Sequence, residues 1–149
     1  MIQLTSPAFA ANRSIPKKYT GEGANISPPL SWSGVPKGAQ ELALICDDPD
    51  APTSKPWVHW VVYKIPPTQS GLPENAHSDL VQGRNDFGKS GYGGPMPPKG
   101  HGVHRYQFHL YALDQPLNAR AGLTKDQLLA ALRGHVLDEG RLVGMYERT

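Results

Sequence analysis

The stretch from Gly91 to Asp114 reads GYGGPMPPKGHGVHRYQFHLYALD, and the rest of the chain is organised around it. Glycine and proline fill its first half and interrupt any helix or sheet ladder, so a shaped loop is predicted there. Its second half alternates as a β-strand requires, because every second residue faces the same side. The residues on one side are His104, Tyr106, Phe108 and Leu110. The sequence therefore predicts a loop that runs into a strand, with an imidazole and a phenol side by side.

Two more strands are predicted on the N-terminal side of this stretch. Glu41–Asp47 (ELALICD) is a continuous apolar run of strand length, which predicts a strand covered on both faces. Trp57–Ile65 (WVHWVVYKI) is rich in β-branched and aromatic residues, and simple alternation places His59 and Tyr63 on one face. Shorter strands are predicted at Ile2–Thr5, Trp32–Gly34, Asp79–Gln82 and Arg141–Arg148.

One helix is predicted near the C-terminus. Thr124 and Gln127 match a capping box, and the flanking Leu123 and Leu128 match a hydrophobic staple. Gly134 can end the helix in a left-handed cap. A modest helix packed on a sheet is therefore expected.

Length, charge and cysteine count narrow the class of protein. The 149 residues predict one domain, residues 1–149. A net charge of +2 without a basic run gives no support to a nucleic-acid or membrane-surface partner, so a small ligand or another protein is expected. The single cysteine, Cys46, excludes an intramolecular disulfide and fits a reducing compartment.

No apolar run approaches the ~20 residues that span a bilayer, so no transmembrane segment is predicted. The N-terminal sequence also lacks the basic and apolar regions of a signal peptide. A cytoplasmic location is expected.

The octapeptide Gly83–Ser90 matches the phosphate-loop pattern G-x-x-x-x-G-K-[ST]. In a phosphate loop the final Lys and Ser open a helix whose N-terminus faces the phosphates. Here GYGGP follows at Gly91–Pro95 and cannot form that helix. A nucleotide site is therefore not predicted.

A small-anion site is predicted if the strong strands are neighbours, because four polar side chains then meet: Asp48, His59, His104 and Tyr106. An Asp that accepts from a His N–H fixes the tautomer and favours the imidazolium, which can face an anion. The glycine loop can expose backbone N–H groups at little steric cost. In the alternative interpretation, the histidines and Tyr106 simply pack in the core.

A metal site and a hydrolase active site are two alternatives to the anion site. A metal site would need a recognised ligand spacing, which the two histidines lack, so no metal is predicted. A cysteine hydrolase would need an accessible thiolate, whereas an apolar strand hides the Cys46 thiol. No G-x-S-x-G elbow is present for a serine hydrolase.

Five separated motifs stand in order along the chain: NISPPLSW at 25–32, DPDAP at 48–52, WVHW at 57–60, GYGGP at 91–95, and PPKG at 97–100 followed by HRY at 104–106. Together they resemble the phosphatidylethanolamine-binding protein family, in its bacterial and archaeal Raf-kinase-inhibitor-like branch. The likeness extends from Phe9 to Arg148.

This resemblance implies a mainly β fold, a β-sandwich of two antiparallel sheets with a few short helices, and a pocket for phosphate-like anions. The lining residues that it implies are Asp48, His59, Gly94, Met96, Pro98, His104 and Tyr106. It also implies cis peptide bonds between the acidic motif and the Trp strand, with Ala51–Pro52 and Lys55–Pro56 as the candidates. Bacterial relatives often form homodimers, a state that the sequence neither supports nor opposes.

The function expected from residues and resemblance together is a non-enzymatic binding protein without a cofactor. Its pocket would take phosphate, a phosphorylated head group or a phosphorylated side chain, and it could modulate kinase signalling. One alternative is an interaction module that inhibits a kinase or protease through the pocket rim. A second is an unrecognised hydrolase, whose turnover would be lost in His104→Ala.

Overall fold

Eight β-strands form two antiparallel sheets in a computed structural model that describes residues 1–149. The smaller sheet contains Gln3–Thr5 (β1), Leu30–Ser33 (β2) and Gly71–Leu72 (β5) in the order β1-β2-β5. The larger sheet contains Glu41–Asp48 (β3), Trp57–Ile65 (β4), Val81–Gln82 (β6), His104–Leu113 (β7) and Val136–Tyr146 (β8), in the order β6-β4-β3-β7-β8. The predicted mainly β architecture of two antiparallel sheets is confirmed.

The larger sheet is covered on both faces. Between the two sheets lies a core of 21 buried residues that includes Trp60 and Phe108. On the outer face a second core of nine buried residues includes Leu128 and Leu132 from the single α-helix. All eight residues of β3 are buried, which confirms the two-sided burial predicted from its continuous apolar sequence.

The helix α1 spans Lys125–Leu132 and begins with the predicted capping box. The Gln127 N–H donates to Thr124 Oγ1 at 3.2 Å, and the Thr124 N–H donates to Gln127 Oε1 at 3.0 Å. These bonds satisfy amide groups that the first turn of a helix leaves free. The only other helix is a short 3₁₀ turn at Lys17–Tyr19.

Two β-bulges in β4 overturn the simple alternation predicted for that strand. Cys46 of β3 lies opposite Trp60 and Asp47 lies opposite Val58, so His59 is an extra residue without a partner. The His59 ring consequently packs on the side of the larger sheet that faces the smaller one. Tyr63 lies in the outer core instead, so the prediction that His59 and Tyr63 share a face is wrong.

Some strand boundaries also differ from the prediction. β8 begins at Val136 rather than at Arg141, and its sequence VLDEG does not alternate. Its burial pattern shows why: four of the first five residues are exposed or partly exposed on both faces. Pairing with β7, rather than a buried face of its own, determines this half of the strand.

The connection from β3 to β4 is made without a cis peptide bond, since none occurs in the chain. The prediction of cis bonds at Ala51–Pro52 and Lys55–Pro56 is therefore wrong. The connection consists of residues 49–56 and lies mostly at the surface, so it has the length and the space to turn with trans bonds throughout. No helix of the chain has the length and apolarity needed to cross a membrane.

Candidate functional site

A cavity of about 220 Å³ opens at one end of the larger sheet. The end of β3 and the starts of β4 and β7 meet there, because Asp48 pairs with Trp57 and Asp47 pairs with Gln107. The cavity is lined by Asp48, Ala51, Pro52, Thr53, Trp57, His59, Phe87, Met96, Pro97, Pro98, His104 and Tyr106. The antiparallel registers thus bring together side chains that lie up to 58 positions apart in the sequence, from Asp48 to Tyr106.

Six of the seven residues predicted to line a pocket do line this cavity: Asp48, His59, Met96, Pro98, His104 and Tyr106. The structure places Gly94 outside it. The Gly94 N–H donates to Asn25 Oδ1 at 2.7 Å, and the Gly93 N–H donates to the His59 carbonyl at 2.9 Å. These two amides of the glycine loop therefore hold the loop in place and are not free to bind an anion.

Asp48 and His104 form a buried pair, with 3% and 1% of their surfaces exposed. The His104 Nδ1–H donates to Asp48 Oδ2 at 2.7 Å, while Asp48 Oδ1 accepts from the Asp50 N–H at 2.8 Å. The carboxylate thus fixes the orientation of the imidazole and its tautomer. This arrangement leaves Nε2 as the only other polar atom of His104, and it lies 2.6 Å from Nδ1 of His101.

His59 is held from the opposite side of the cavity. Its Nδ1–H donates to the Gly93 carbonyl at 2.6 Å, because a carbonyl can only accept. Burial lowers the pKa of His59 below its ordinary value, despite the opposing effect of that hydrogen bond. A neutral ring with its proton on Nδ1 leaves Nε2 as a hydrogen-bond acceptor on a residue that lines the cavity.

Tyr106 lies between the two histidines. Its ring contacts His59 edge-on at 5.1 Å between centroids and stacks beside His104 at 6.5 Å. Its hydroxyl is buried and has no hydrogen-bond partner. Burial, with a smaller contribution from Asp48, raises the pKa of Tyr106 far above its ordinary value, so the hydroxyl stays protonated and can donate.

Apolar side chains that the sequence did not predict complete the cavity. Phe87 contacts both Trp57 and His59 edge-on, at 5.5 and 5.4 Å. Phe87 comes from the octapeptide that resembles a phosphate loop, and no helix follows that octapeptide. Asn85 organises it as a turn instead, since Asn85 Oδ1 accepts from the Phe87 and Lys89 N–H groups.

The two carboxylates next to Asp48 have structural partners outside the cavity. Asp50 forms a two-pronged ion pair with Arg105, at 2.8 and 2.9 Å, which lowers the pKa of Asp50 to about 2. Asp47 accepts from Lys125 of α1 at 2.7 Å on the outer face of the sheet. None of the residues that line the cavity is a lysine or an arginine, so Asp48 and the histidines dominate its electrostatics.

The burial of His59 predicts a pH-dependent stability. Because its folded pKa lies below its ordinary value of 6.5, the unfolded chain binds this proton more readily than the folded chain. Neutral His59 therefore makes its full contribution to the free energy of unfolding above about pH 6.5. This contribution falls at lower pH, by up to about 1.4 kcal/mol per pH unit. Between pH 7.5 and 5, we expect the free energy of unfolding, measured with denaturant, to fall less for His59→Gln than for the unsubstituted protein. Equal losses would contradict this account.

A family model described as phosphatidylethanolamine-binding protein matches residues 5–147. The chain belongs to the phosphatidylethanolamine-binding protein family, and the resemblance predicted from the five motifs is confirmed.

Its relatives include microbial proteins of nearly the same length. A UPF0098 protein of Methanothermobacter thermautotrophicus is 53% identical, with 99% of each chain covered. The crystal structure of a phosphatidylethanolamine-binding protein homologue from Chlamydia trachomatis has a TM-score of 0.93 and 48% identity, with 99% of this chain and 98% of that chain covered. The crystal structure of E. coli YbcL, whose description makes it a new member of the mammalian family, has a TM-score of 0.92 and 35% identity, with 99% of both chains covered.

Proposed function

We propose that this protein is a non-enzymatic binding protein whose cavity takes a small phosphate-type anion, either free or as part of a phosphorylated head group or side chain. The observation that carries the proposal is the buried, unpartnered hydroxyl of Tyr106 in a cavity lined by two oriented histidines. A buried donor without a partner costs about 1–3 kcal/mol. A ligand oxygen in the cavity would remove that cost.

The polar groups also define the protonation state of the ligand. Tyr106 offers a donor, whereas His59 Nε2 offers an acceptor. The cavity contains a carboxylate and no lysine or arginine, so a doubly charged anion is poorly balanced there. A phosphate group that keeps one proton matches this pattern, because its oxygens accept from Tyr106 and its P–OH donates to His59.

The set of lining residues favours binding over catalysis. The cavity contains no cysteine or lysine to act as a nucleophile, and its one aliphatic hydroxyl, that of Thr53, is exposed and donates to the Lys55 carbonyl. Cys46 is buried in β3 away from the cavity, and its burial raises the pKa of its thiol well above the ordinary value. Cys46 therefore provides no thiolate nucleophile to the Asp48–His104 pair.

A comparison of phosphate with sulfate tests the proposal. The two anions have nearly the same shape, but sulfate carries no proton near neutral pH and cannot donate to His59. We expect calorimetry near pH 6.5 to give a phosphate affinity about tenfold or more above that for sulfate, the effect of one hydrogen bond to a charged group. Phosphoethanolamine should behave as phosphate does, since phosphomonoesters still keep a proton at about pH 6.

Three results would contradict the proposal. Equal or tighter binding of sulfate would remove the role of His59 as an acceptor, and no binding of either anion would remove the site. Release of inorganic phosphate from a phosphomonoester, lost in His104→Ala, would identify a hydrolase instead.

The rim of the cavity favours one alternative, an interaction module for a kinase or protease. Phe87 and Met96 are both about two-fifths exposed beside the opening, at 42% and 41%. If a protein partner binds there, substitution of Phe87 by Ser would weaken inhibition while Tyr106→Phe would not. Binding of a phosphorylated side chain in the cavity would combine both functions.

A further inference from the structure

His101 does not line the cavity, but it occupies the hydrogen-bonding position at Nε2 of His104, which does line it. The Nδ1 atom of His101 lies 2.6 Å from Nε2 of His104 in hydrogen-bonding geometry. An anion oxygen that accepts from the same nitrogen would lie about 2.7–2.9 Å away in the same direction. The imidazole of His101 and the anion oxygen therefore cannot both occupy this position.

The protons on the two rings also prevent His101 and an anion from binding His104 Nε2 at the same time. The other nitrogen of His104 is committed to Asp48, so the ring reaches any further partner only through Nε2. A hydrogen bond between two imidazole nitrogens contains one shared proton, which lies on His104 or on His101. Because Nδ1–H is committed to Asp48, Nε2 can donate only from the imidazolium form of His104, in which both ring nitrogens carry a proton. An anion that accepts a hydrogen bond from Nε2 must then replace His101 as the partner of that atom.

Few internal contacts hold the segment that contains His101. Gly100 and Gly102 flank it with φ values of +73° and +88°, and no atom lies within 4 Å of the position that a Cβ would take at either glycine. The side chain of His101 is exposed to solvent. Only two backbone bonds hold this turn, both at 3.2 Å: Gly100 N–H to the Arg148 carbonyl, and His101 N–H to the Pro98 carbonyl.

We propose that His101 is a displaceable cap on the anion site, which occupies His104 Nε2 in the ligand-free protein and leaves when a phosphate group binds. This inference rests on the proposed function and adds a residue that sets its affinity. The ligand must break the His101–His104 hydrogen bond before it can form its own. The cap therefore lowers the affinity for ligands that are weak hydrogen-bond acceptors and favours phosphate groups, which are strong ones.

Phosphate calorimetry on a matched pair of variants tests the cap. We expect His101→Ala to bind inorganic phosphate about three- to tenfold more tightly than the unsubstituted protein, because no internal hydrogen bond has to break. The control is His77→Ala, which removes another exposed histidine far from the cavity and should leave the affinity unchanged. Both histidines are at the surface, so both variants should fold.

Imidazole nitrogen signals provide a second measurement on the unsubstituted protein. If His101 is a cap, addition of phosphate should change the ¹⁵N chemical shifts of His104 Nε2 and His101 Nδ1 together. The His101 signal should then have the chemical shift of a solvent-exposed ring. A His101 signal that does not move would overturn the cap.

The possible failures can be told apart. Equal or weaker phosphate binding by His101→Ala would overturn the cap and leave the anion site standing, since His101 would then be neutral or a ligand contact. No phosphate binding by either protein would overturn the proposed function and the cap with it. Phosphate binding by His101→Ala but not by the unsubstituted protein would support both the anion site and the cap.

Discussion

Tyr106→Phe is expected to lower the affinity for phosphate about 10- to 100-fold without lowering the free energy of unfolding. The hydroxyl of Tyr106 has no partner inside the protein, so its removal breaks no internal bond. A hydrogen bond to a charged ligand contributes about 1.5–3 kcal/mol, which corresponds to the expected loss of affinity. Removal of a buried, unsatisfied hydroxyl is neutral or stabilising in the ligand-free protein.

Tyr63→Phe is the matched control for this substitution. Tyr63 is another fully buried tyrosine, but its hydroxyl donates to the Arg120 carbonyl and accepts from the Leu123 N–H. Its loss should lower the free energy of unfolding by about 1–3 kcal/mol and leave phosphate affinity unchanged. Calorimetric binding and denaturant unfolding of both variants measure the two effects. If Tyr106→Phe destabilises the protein as Tyr63→Phe does and binds phosphate normally, Tyr106 is a structural residue.

The second large effect is expected at Gly94, where we predict that Ala lowers the free energy of unfolding by about 2–3 kcal/mol. An added Cβ would lie 2.4 Å from the Tyr19 carbonyl oxygen and 2.6 Å from Asn25 Oδ1. The first of these atoms is backbone and the second is the acceptor for the Gly94 N–H, so neither can move without loss. For a chain of this length the change corresponds to roughly 5–10 °C in melting temperature.

Gly38→Ala is the control for Gly94→Ala. Gly38 is exposed, and a Cβ there would meet only Leu137 Cδ1, at an ordinary contact distance of 3.7 Å. We expect its melting temperature to stay within about 1–2 °C of the unsubstituted protein. Equal melting temperatures for both alanine variants would show that the loop at Gly94 can relax, and that its close approach to Tyr19 is not required.

Patterns that depend on neighbours in sequence were predicted well. The alternation in β7 placed Tyr106 and Phe108 on one buried face, and the structure confirms it. Thr124 and Gln127 gave the start of α1 because a capping box involves only residues three apart. The apolar sequence of β3 gave its burial on both faces for a similar reason.

Several features that depend on tertiary contacts were not predicted. The bulge at His59 results from the pairing of β3 with β4, which no periodicity in β4 reveals. Gly94 does not line the cavity as predicted, and its tight contact is with Tyr19, 75 positions away in the sequence. Phe87 and His101 lie on turns whose position in space no local pattern sets, so neither was singled out.

Most strand residues must both pair their backbone with the neighbouring strand and pack their side chain in one layer. The bulge that contains His59 separates these two requirements. Because His59 is an extra residue in β4, the pairing of Val58 and Trp60 with β3 does not depend on the side chain between them. The His59 side chain is constrained instead by the groups that it contacts, the Gly93 carbonyl and the rings of Phe87 and Tyr106. A substitution at this position can therefore change the chemistry of the cavity without changing the strand pairing that supports it.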